Sequence, residues 1–183
     1  MNAADAEAIA SVLRFWREAG EDLWFARDED FDRDFRARFL DRHMAVAARR
    51  HDDWSATVDG ALALILLADQ FPRNSFRGTA HMYATDPLAL LYARQAMAAG
   101  FMGRVADALK LFFVLPFAHS EDLADQDLCV ALSGELGGEA VEHAEGHRDI
   151  IRRFGRFPHR NPMLARETTP EEAAFLANGG FAG

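Results

Sequence analysis

This chain of 183 residues has little cysteine, little lysine and no long apolar run. Its single cysteine, Cys129, excludes an intramolecular disulfide and a cysteine-rich metal site. Only Lys110 is lysine among 20 basic residues, and the net charge is −9. This acidic balance argues against binding to nucleic acid or to an anionic membrane through the whole surface. We therefore predict no nucleic-acid partner and no membrane partner.

The apolar segments are also too short for a membrane protein. The longest of them, residues 61–68, is far below the length that spans a bilayer. The first residues lack the basic segment that begins a secretory signal. We therefore expect a cytoplasmic protein. Half of the residues are hydrophobic and 27% are charged, which is typical of a globular domain.

What the sequence does contain is helical periodicity almost throughout. Ile9, Val12, Leu13 and Trp16 recur at the spacing of one face of an amphipathic helix. No alternation of useful length indicates a β-strand. Loops are short, and no linker or low-complexity segment interrupts the chain. We predict one all-α domain over residues 1–183, an antiparallel helical array.

The first half of the array is organised around one apolar helix. A helix after the acidic run 28–30 is expected to bury Phe31, Phe35 and Phe39. Ser55 is expected to cap the next helix. Residues 61–68 of that helix are apolar on every face, so a helix over 61–70 should be central and wrapped by the others. Phe71-Pro72 should stop it, since a residue before proline avoids the α region.

The second half carries clear start and stop signals. Asp86 followed by Pro87 predicts a helix start, and Gly100 predicts its end. A short helix over 105–114 should end before Pro116. Ser120 is then expected to cap a helix that runs to about Gly137. One further helix should span 139–154, and Thr169 with Glu172 forms a capping-box pattern before the last helix.

Three stretches place charge and imidazole among aromatics and prolines: residues 67–74, 112–121 and 147–161. Such residues are costly on an open surface, so we expect these stretches to be packed, with their charges paired. Each lies at a predicted helix end beside a proline. We interpret them as one assembled site, which is either an active centre or a structural fastening.

Asp69 is the most unusual acid in these stretches. It lies at the C-terminal end of the apolar helix, where the helix dipole favours cations. A nearby cation, Arg73 or Arg77, is expected to hold it. A structural ion pair and a functional carboxylate are both compatible with this position.

The histidines give a second set of candidates. His143 and His147 are one helical turn apart and could share a metal ion, with a third ligand from Asp69, His119 or His159. We favour the simpler interpretation, a histidine hydrogen-bonded at the edge of the core. We therefore assign no metal site, and the sequence identifies no cofactor.

Arg156 and Arg160 lie on a turn with Phe157 and Pro158, which should hold them rigidly. Planar guanidinium groups on such a turn suit a carboxylate or a phosphate group. The partner could be a ligand, or it could be Asp69 or Glu121 of this chain. Nothing resembles a phosphate-binding glycine loop or a nucleophile motif.

Two hypotheses for function follow. In the first, a polar pocket between helices binds a small anionic molecule or acts as an enzyme, with an aspartate that supports a cationic histidine. The predicted catalytic residues are Asp69, His119, Glu121, His147 and His159, and the predicted ligand-binding residues are Gln70, Arg73, Asn74, Arg156, Arg160 and Asn161. In the second, the chain is a helical module for binding a protein partner, and these motifs are ion-pair fastenings. The sequence indicates no oligomeric state.

The same stretches resemble a known bacterial family, number 924 among the domains of unknown function. The resemblance extends from Phe15-Trp16 through residues 69–74, 115–121 and 147–161 to the capping segment at Thr168-Thr169. The family usually has glutamate where this chain has Ala118. The resemblance implies an all-α, tetratricopeptide-like superhelical fold. It implies no activity, because the family is defined by the lack of an established one.

Overall fold

The computed structural model describes residues 2–183, which contain helices and turns but no strand. The all-α prediction is thus confirmed. The chain forms two compact units. The first unit comprises Met1–Arg77 with His81–Pro116, and the second comprises Gly78–Ala80 with Phe117–Gly183. Whether 1–183 behaves as one domain stays a prediction. None of the helices in the described residues is long and apolar enough to cross a membrane.

The first unit contains six helices and most of a seventh. They are α1 (Ala3–Ala19), α2 (Glu21–Trp24), α3 (Glu29–Ala47), α4 (Val58–Ile65), α5 (Phe71–Ser75), α6 (Asp86–Ala98) and α7 (Asp107–Ala118), whose last two residues belong to the second unit. A π-helical segment, Leu66–Gln70, joins α4 to α5.

The core of the first unit is the predicted apolar helix. Every side chain from 61 to 68 has no exposed surface, which confirms that this helix is central. Phe31, Phe35 and Phe39 of α3 are buried, as their spacing predicted. The ring of Phe35 packs against Phe71 at 5.1 Å, so aromatic contacts tie α3 to α5.

The second unit is smaller and more polar. It contains α8 (Leu123–Ser133), α9 (Glu139–Phe154) and α10 (Pro170–Ala177), and α8 packs along α9. Its apolar cluster consists of Ile150, Ile151 and Phe157, with partly buried Phe154 and Phe175. Cys129 is buried, and burial raises the pKa of its thiol to about 11. A buried thiol with a raised pKa is an unreactive core residue.

Three helix starts differ from the sequence predictions by one or two residues. Thr57, not Ser55, caps α4, and Ser55 instead donates to the Asp52 carbonyl in a short 3-10 turn. Asp122, not Ser120, caps α8. Asp86 is the first residue of α6 rather than its cap. At α4 and α8 the second of two neighbouring capping side chains is used. Thr85 precedes α6 without a side-chain capping bond, and its hydroxyl donates to the Ala68 carbonyl instead.

The ends of two helices were also predicted differently. The α8 helix ends at Ser133 rather than at about Gly137. Pro116 does not end α7, because only Phe117 and Ala118 follow it and the missing N–H disturbs the last turn alone. The buried Gln126 amide donates to the carbonyls of Phe117, Ala118 and Ser120 at 3.3, 2.9 and 2.7 Å. These bonds satisfy the exposed carbonyls of the helix end.

Candidate functional site

The helix through Asp69 does not stop at Phe71-Pro72, as was predicted. Phe71 keeps α-helical angles, and its N–H bonds to the carbonyl of Leu66, five residues earlier. This wider π turn carries the chain past Pro72 into α5. It also leaves the Leu67 carbonyl without a helical donor, because Pro72, five residues on, has no N–H.

Side chains from elsewhere in the first unit satisfy the carbonyls of this turn. His43 Nδ1 lies 2.9 Å from the Leu67 carbonyl oxygen, and Thr85 Oγ1 donates to Ala68 at 2.5 Å. Because a carbonyl only accepts, His43 must carry its proton on Nδ1. Arg73 donates to the Asp69 carbonyl at 2.9 Å. The first polar-aromatic stretch is thereby fastened to α3 and to the start of α6.

Asp69 is fully buried and paired with Arg73, one of the two cations the sequence suggested. The carboxylate lies 3.2 Å from the Arg73 guanidinium, which also makes two bonds to Asp86 at 2.7 and 3.0 Å. Burial opposes the charge of Arg73, but Asp69 and Asp86 outweigh it and raise the pKa of Arg73. Gln70 donates to Asp69 at 2.6 Å. Two buried carboxylates thus share one guanidinium, so removal of Arg73 would leave two like charges close together.

The other predicted residues of this stretch are also engaged. Asn74 donates to Asp32 at 2.7 Å, and Arg77 binds the same carboxylate at 2.6 Å. Arg77 is therefore a partner of Asp32 and α3, rather than of Asp69. The sequence pattern identified these residues correctly as packed and paired.

Sequence reasoning missed a histidine pair in the first unit. His43 Nε2 lies 2.9 Å from His81 Nε2, and His43 has no exposed surface. Since His43 carries its proton on Nδ1, its Nε2 accepts and His81 donates. Burial lowers the pKa of His43, and His81 and Arg36 lower it further. Only the helical position of His43, on the face of Phe35 and Phe39, could have signalled its burial.

In the second unit, Glu121 is held in an ionic contact. Arg166 binds it through two bonds at 2.7 and 3.0 Å, and the Phe157 N–H donates to it at 2.8 Å. Burial opposes its charge, but Arg166 and the Phe157 N–H prevail and lower the pKa of Glu121. Glu121 precedes the cap of α8 instead of opening that helix. It fastens the second stretch to the third.

Arg156 and Asn161 converge on Glu172 of α10. Arg156 binds the carboxylate at 2.6 and 2.9 Å, and Asn161 donates to it at 3.1 Å. The hydrogen bond from Arg156 lowers the pKa of Glu172 to about 2, although burial of the carboxylate acts in the opposite direction. The capping box of Thr169 and Glu172 is formed as predicted. The same carboxylate thus caps α10 and fixes the turn after α9.

His147 behaves differently from these paired groups. Burial, and then repulsion by four nearby basic side chains, lower its pKa to about 4; these are His119, His143, Arg160 and His159. The Nδ1 atom of His147 is buried and makes no hydrogen bond within the described residues. We call His147 and these four neighbours the basic cluster. A neutral His147 departs from the expectation of a cationic histidine.

His147 also borders a cleft of about 340 Å³ in the second unit. The cleft is lined by one face of α9, by Phe175 of α10 and by the chain end; the residues are Glu142, His143, Gly146, His147, Asp149, Ile150, Arg153, Phe154, Phe175 and Phe181. Its walls are largely aromatic. Arg153 is paired with Glu171 at 3.0 Å, so imidazoles supply the cleft's remaining basic groups.

The residues after α10 lie against this histidine. The Phe181 ring meets the His147 ring edge-on at 4.6 Å and the His159 ring at 5.1 Å. His147 also meets Phe157 edge-on at 5.4 Å. Arg160, which is buried, stacks over Phe157 at 4.5 Å. His147 and His159 of the basic cluster therefore each contact both Phe157 and Phe181.

The candidate residues divide between the two units. Asp69, Gln70, Arg73 and Asn74 belong to the first, and the remaining candidates, from His119 to Asn161, belong to the second. Within residues 2–183, no group of three or more His, Cys, Asp or Glu side chains is arranged to hold a metal ion. Catalytic and ligand-binding roles for these residues stay predictions.

Comparison with known proteins agrees with the motifs. The profile of a bacterial family of unknown function, DUF924, matches residues 12–180. The chain belongs to the DUF924 family. This DUF924 chain is similar to a protein of unknown function from Agrobacterium tumefaciens whose structure has been solved. The two share 53% identity and a TM-score of 0.93 over 95% of this chain and 99% of the other. No curated protein matches.

Proposed function

We propose that the cleft in the second unit binds a small anionic molecule that carries an apolar, flat group. The observation that carries this proposal is the environment of His147. The charged side chains that act most strongly on its pKa are all basic, in a chain with a net charge of −9. A negative charge placed there would be attracted by each of them.

The walls of the cleft support an apolar group on the same ligand. Phe154, Phe175 and Phe181 border the cleft, and aromatic walls favour flat apolar groups. Glu142 and Asp149 of α9 also line the cleft, but the side chains that act most strongly on His147 are basic. The anionic end would therefore lie toward His147 and the apolar end toward the phenylalanines.

Binding of an anion should be linked to protonation of His147. In the free protein its pKa of about 4 leaves the imidazole neutral at pH 7. A nearby anion would raise that pKa, since an opposite charge favours the charged form. Binding should therefore take up a proton and should be tighter at pH 6 than at pH 8.

Benzoate tests this proposal, with benzyl alcohol as the uncharged comparison. Isothermal titration calorimetry of the full chain should detect benzoate binding, and His147→Gln should weaken it at least about tenfold, or 1.4 kcal/mol. Arg152→Gln is the matched control, because Arg152 is an exposed arginine on α9 that is not part of the cleft lining. Equal affinity for the two probes, or equal losses in the two variants, would overturn the proposal.

The alternative function is a helical module that binds a protein partner. It is supported by the closed contacts of Arg73, Arg166 and Arg156, each of which fastens separate segments within one unit. Arg156→Ala should then lower the melting temperature because Glu172 loses its cation. His147→Gln should leave the melting temperature nearly unchanged. Under this alternative neither change affects benzoate, since no ligand site exists.

A further inference from the structure

A second cleft lies in the first unit, at the C-terminal end of α3. It has a volume of about 480 Å³ and is lined by Arg38, Asp41, Arg42, Ala45, Arg50 and His51. None of these residues was singled out by the sequence motifs. The cleft is independent of the candidate site in the second unit.

Arginines outnumber carboxylates in the lining of this cleft. Arg42 and Arg50 make no ion pair with a carboxylate in the described part of the chain, 2–183. Arg38 is bonded to Asp34 at 2.8 Å, one turn earlier on α3. The lining therefore contains three arginines and one carboxylate, that of Asp41, while Asp5 and Asp53 also act on His51.

The backbone that presents Arg50 and His51 is held in an unusual conformation. Arg49 has a φ of +62°, a left-handed position after a helix end that normally favours glycine. Its guanidinium binds Asp52 at 2.7 Å, and Tyr92 donates to the same carboxylate at 2.6 Å. The Arg50 N–H also bonds to the Ala45 carbonyl at 3.0 Å. The turn is therefore fixed before any ligand arrives.

His51 is positioned by stacking. Its ring lies 4.3 Å from the ring of Trp54 at an angle of 25°, and Trp54 has no exposed surface. Burial, followed by Arg42 and Arg50, lowers the pKa of His51 against the opposing charges of Asp5 and Asp53. The His51 imidazole is thus close enough to Arg42 and Arg50 to interact with them electrostatically.

We propose that this cleft binds the dianionic phosphate group of a small phosphate monoester, held by Arg42 and Arg50 with His51 as a further donor. The planar guanidinium forks match tetrahedral oxygen pairs, and a phosphate dianion offers more acceptors than a carboxylate. A fixed turn and a stacked imidazole reduce the entropy lost on binding. The cleft volume leaves room for the organic part of the ester.

Inorganic phosphate is the probe, followed by NMR of the histidine rings in the full chain. Phosphate should shift the His51 ring signals and raise the pKa of His51, since an anion favours the imidazolium form. Arg42→Gln and Arg50→Gln should each weaken phosphate binding at least about tenfold. Arg33→Gln is the control, because it removes one exposed positive charge from the same helix outside the cleft. Acetate should bind more weakly than phosphate.

The inference is overturned if phosphate leaves His51 unshifted, or if Arg33→Gln weakens binding as much as Arg42→Gln does. It is also overturned if phosphate shifts His147 and not His51, which would leave the proposed function intact. Equal binding of acetate and phosphate would exclude recognition of a dianion. Retention of phosphate binding in His147→Gln is expected, because the two clefts are composed of different residues.

Discussion

In the first unit, the carboxylates of Asp69 and Asp86 share the guanidinium of Arg73, whereas in the second unit the side chains that act most strongly on His147 are basic. Both regions lie in stretches with the same sequence character, charge among aromatics and prolines. In the first unit, the carboxylates are paired with an arginine of the same unit. In the other, the strongest electrostatic contributions at the His147 ring come from His119, His143, Arg160 and His159, which oppose its protonation. Composition alone does not separate these two uses; the sign of the neighbours does.

The largest effect is expected from removing the cation that Asp69 and Asp86 share in the first unit. Arg73→Ala leaves Asp69 and Asp86 without their cation and should lower the free energy of unfolding by about 3–5 kcal/mol. Arg77→Ala serves as the control, since Arg77 is a partly exposed arginine paired with Asp32. Urea unfolding measures both. Equal losses in the two variants would show that the Arg73 set is no more important than a surface pair.

The pH dependence of stability tests the second region. A histidine with a lowered pKa binds fewer protons in the folded state than in the unfolded one. Stability should therefore be full above about pH 6.5 and should fall as the pH drops toward 4, by up to about 1.4 kcal/mol per pH unit for His147. His147→Gln should flatten this dependence.

His43 should also lower the free energy of unfolding as the pH falls, because its pKa in the folded protein is lowered too. His43→Gln therefore tests whether the first unit shares the acid sensitivity. Urea unfolding at pH 7 and pH 5 compares the two variants with the wild type. Unchanged slopes in both variants would mean that neither histidine is neutral because of burial.

A smaller effect is expected at the start of α10. Thr169→Ala removes one half of the capping box and should lower the free energy of unfolding by about 1 kcal/mol. Thr169→Ser keeps the hydroxyl and should recover most of that loss. Thermal unfolding followed by circular dichroism measures both variants. If alanine and serine behave alike, the hydroxyl does not cap the helix in solution.

The smallest stability change is expected at Phe181, whose ring is 42% exposed. Phe181→Ala should lower the free energy of unfolding by less than about 1 kcal/mol. It should nevertheless raise the pKa of His147 toward 6.5, since less apolar surface then covers the imidazole. NMR titration of the histidine rings measures this pKa. An unchanged value would assign the burial of His147 to Phe157 instead.

Helix positions and the central apolar helix followed from local patterns, and the capping box of Thr169 was recognised directly. The errors came where two local signals competed. Ser55 and Thr57 are both able to cap α4, and Pro72 and Pro116 both favour a break that the structure does not make. Tertiary packing resolved each case, through the wide turn before Pro72 and through Gln126 after Pro116.

The candidate site was predicted less completely. The sequence located polar side chains that are packed and paired, such as Asp69 with Arg73. It did not locate the partners Asp86, Arg166 and Glu172, because these lie 13 to 45 residues away along the chain. It also missed His43, whose partner is a backbone carbonyl. Pro72 indicates that a carbonyl before it lacks a helical donor, but nothing local in the sequence shows that His43 of α3 supplies that donor.

The π turn at Leu66–Gln70 has a consequence for the rotational phase of everything after it. Each residue advances an α-helix by about 100°, so one extra residue in a turn rotates the following side chains by that angle. Deleting one residue from this segment would move Arg73 and Asn74 out of line with Asp86 and Asp32. The wide turn thus sets the rotation of α5 about the helix axis, and with it the direction in which the side chains of Phe71–Ser75 point.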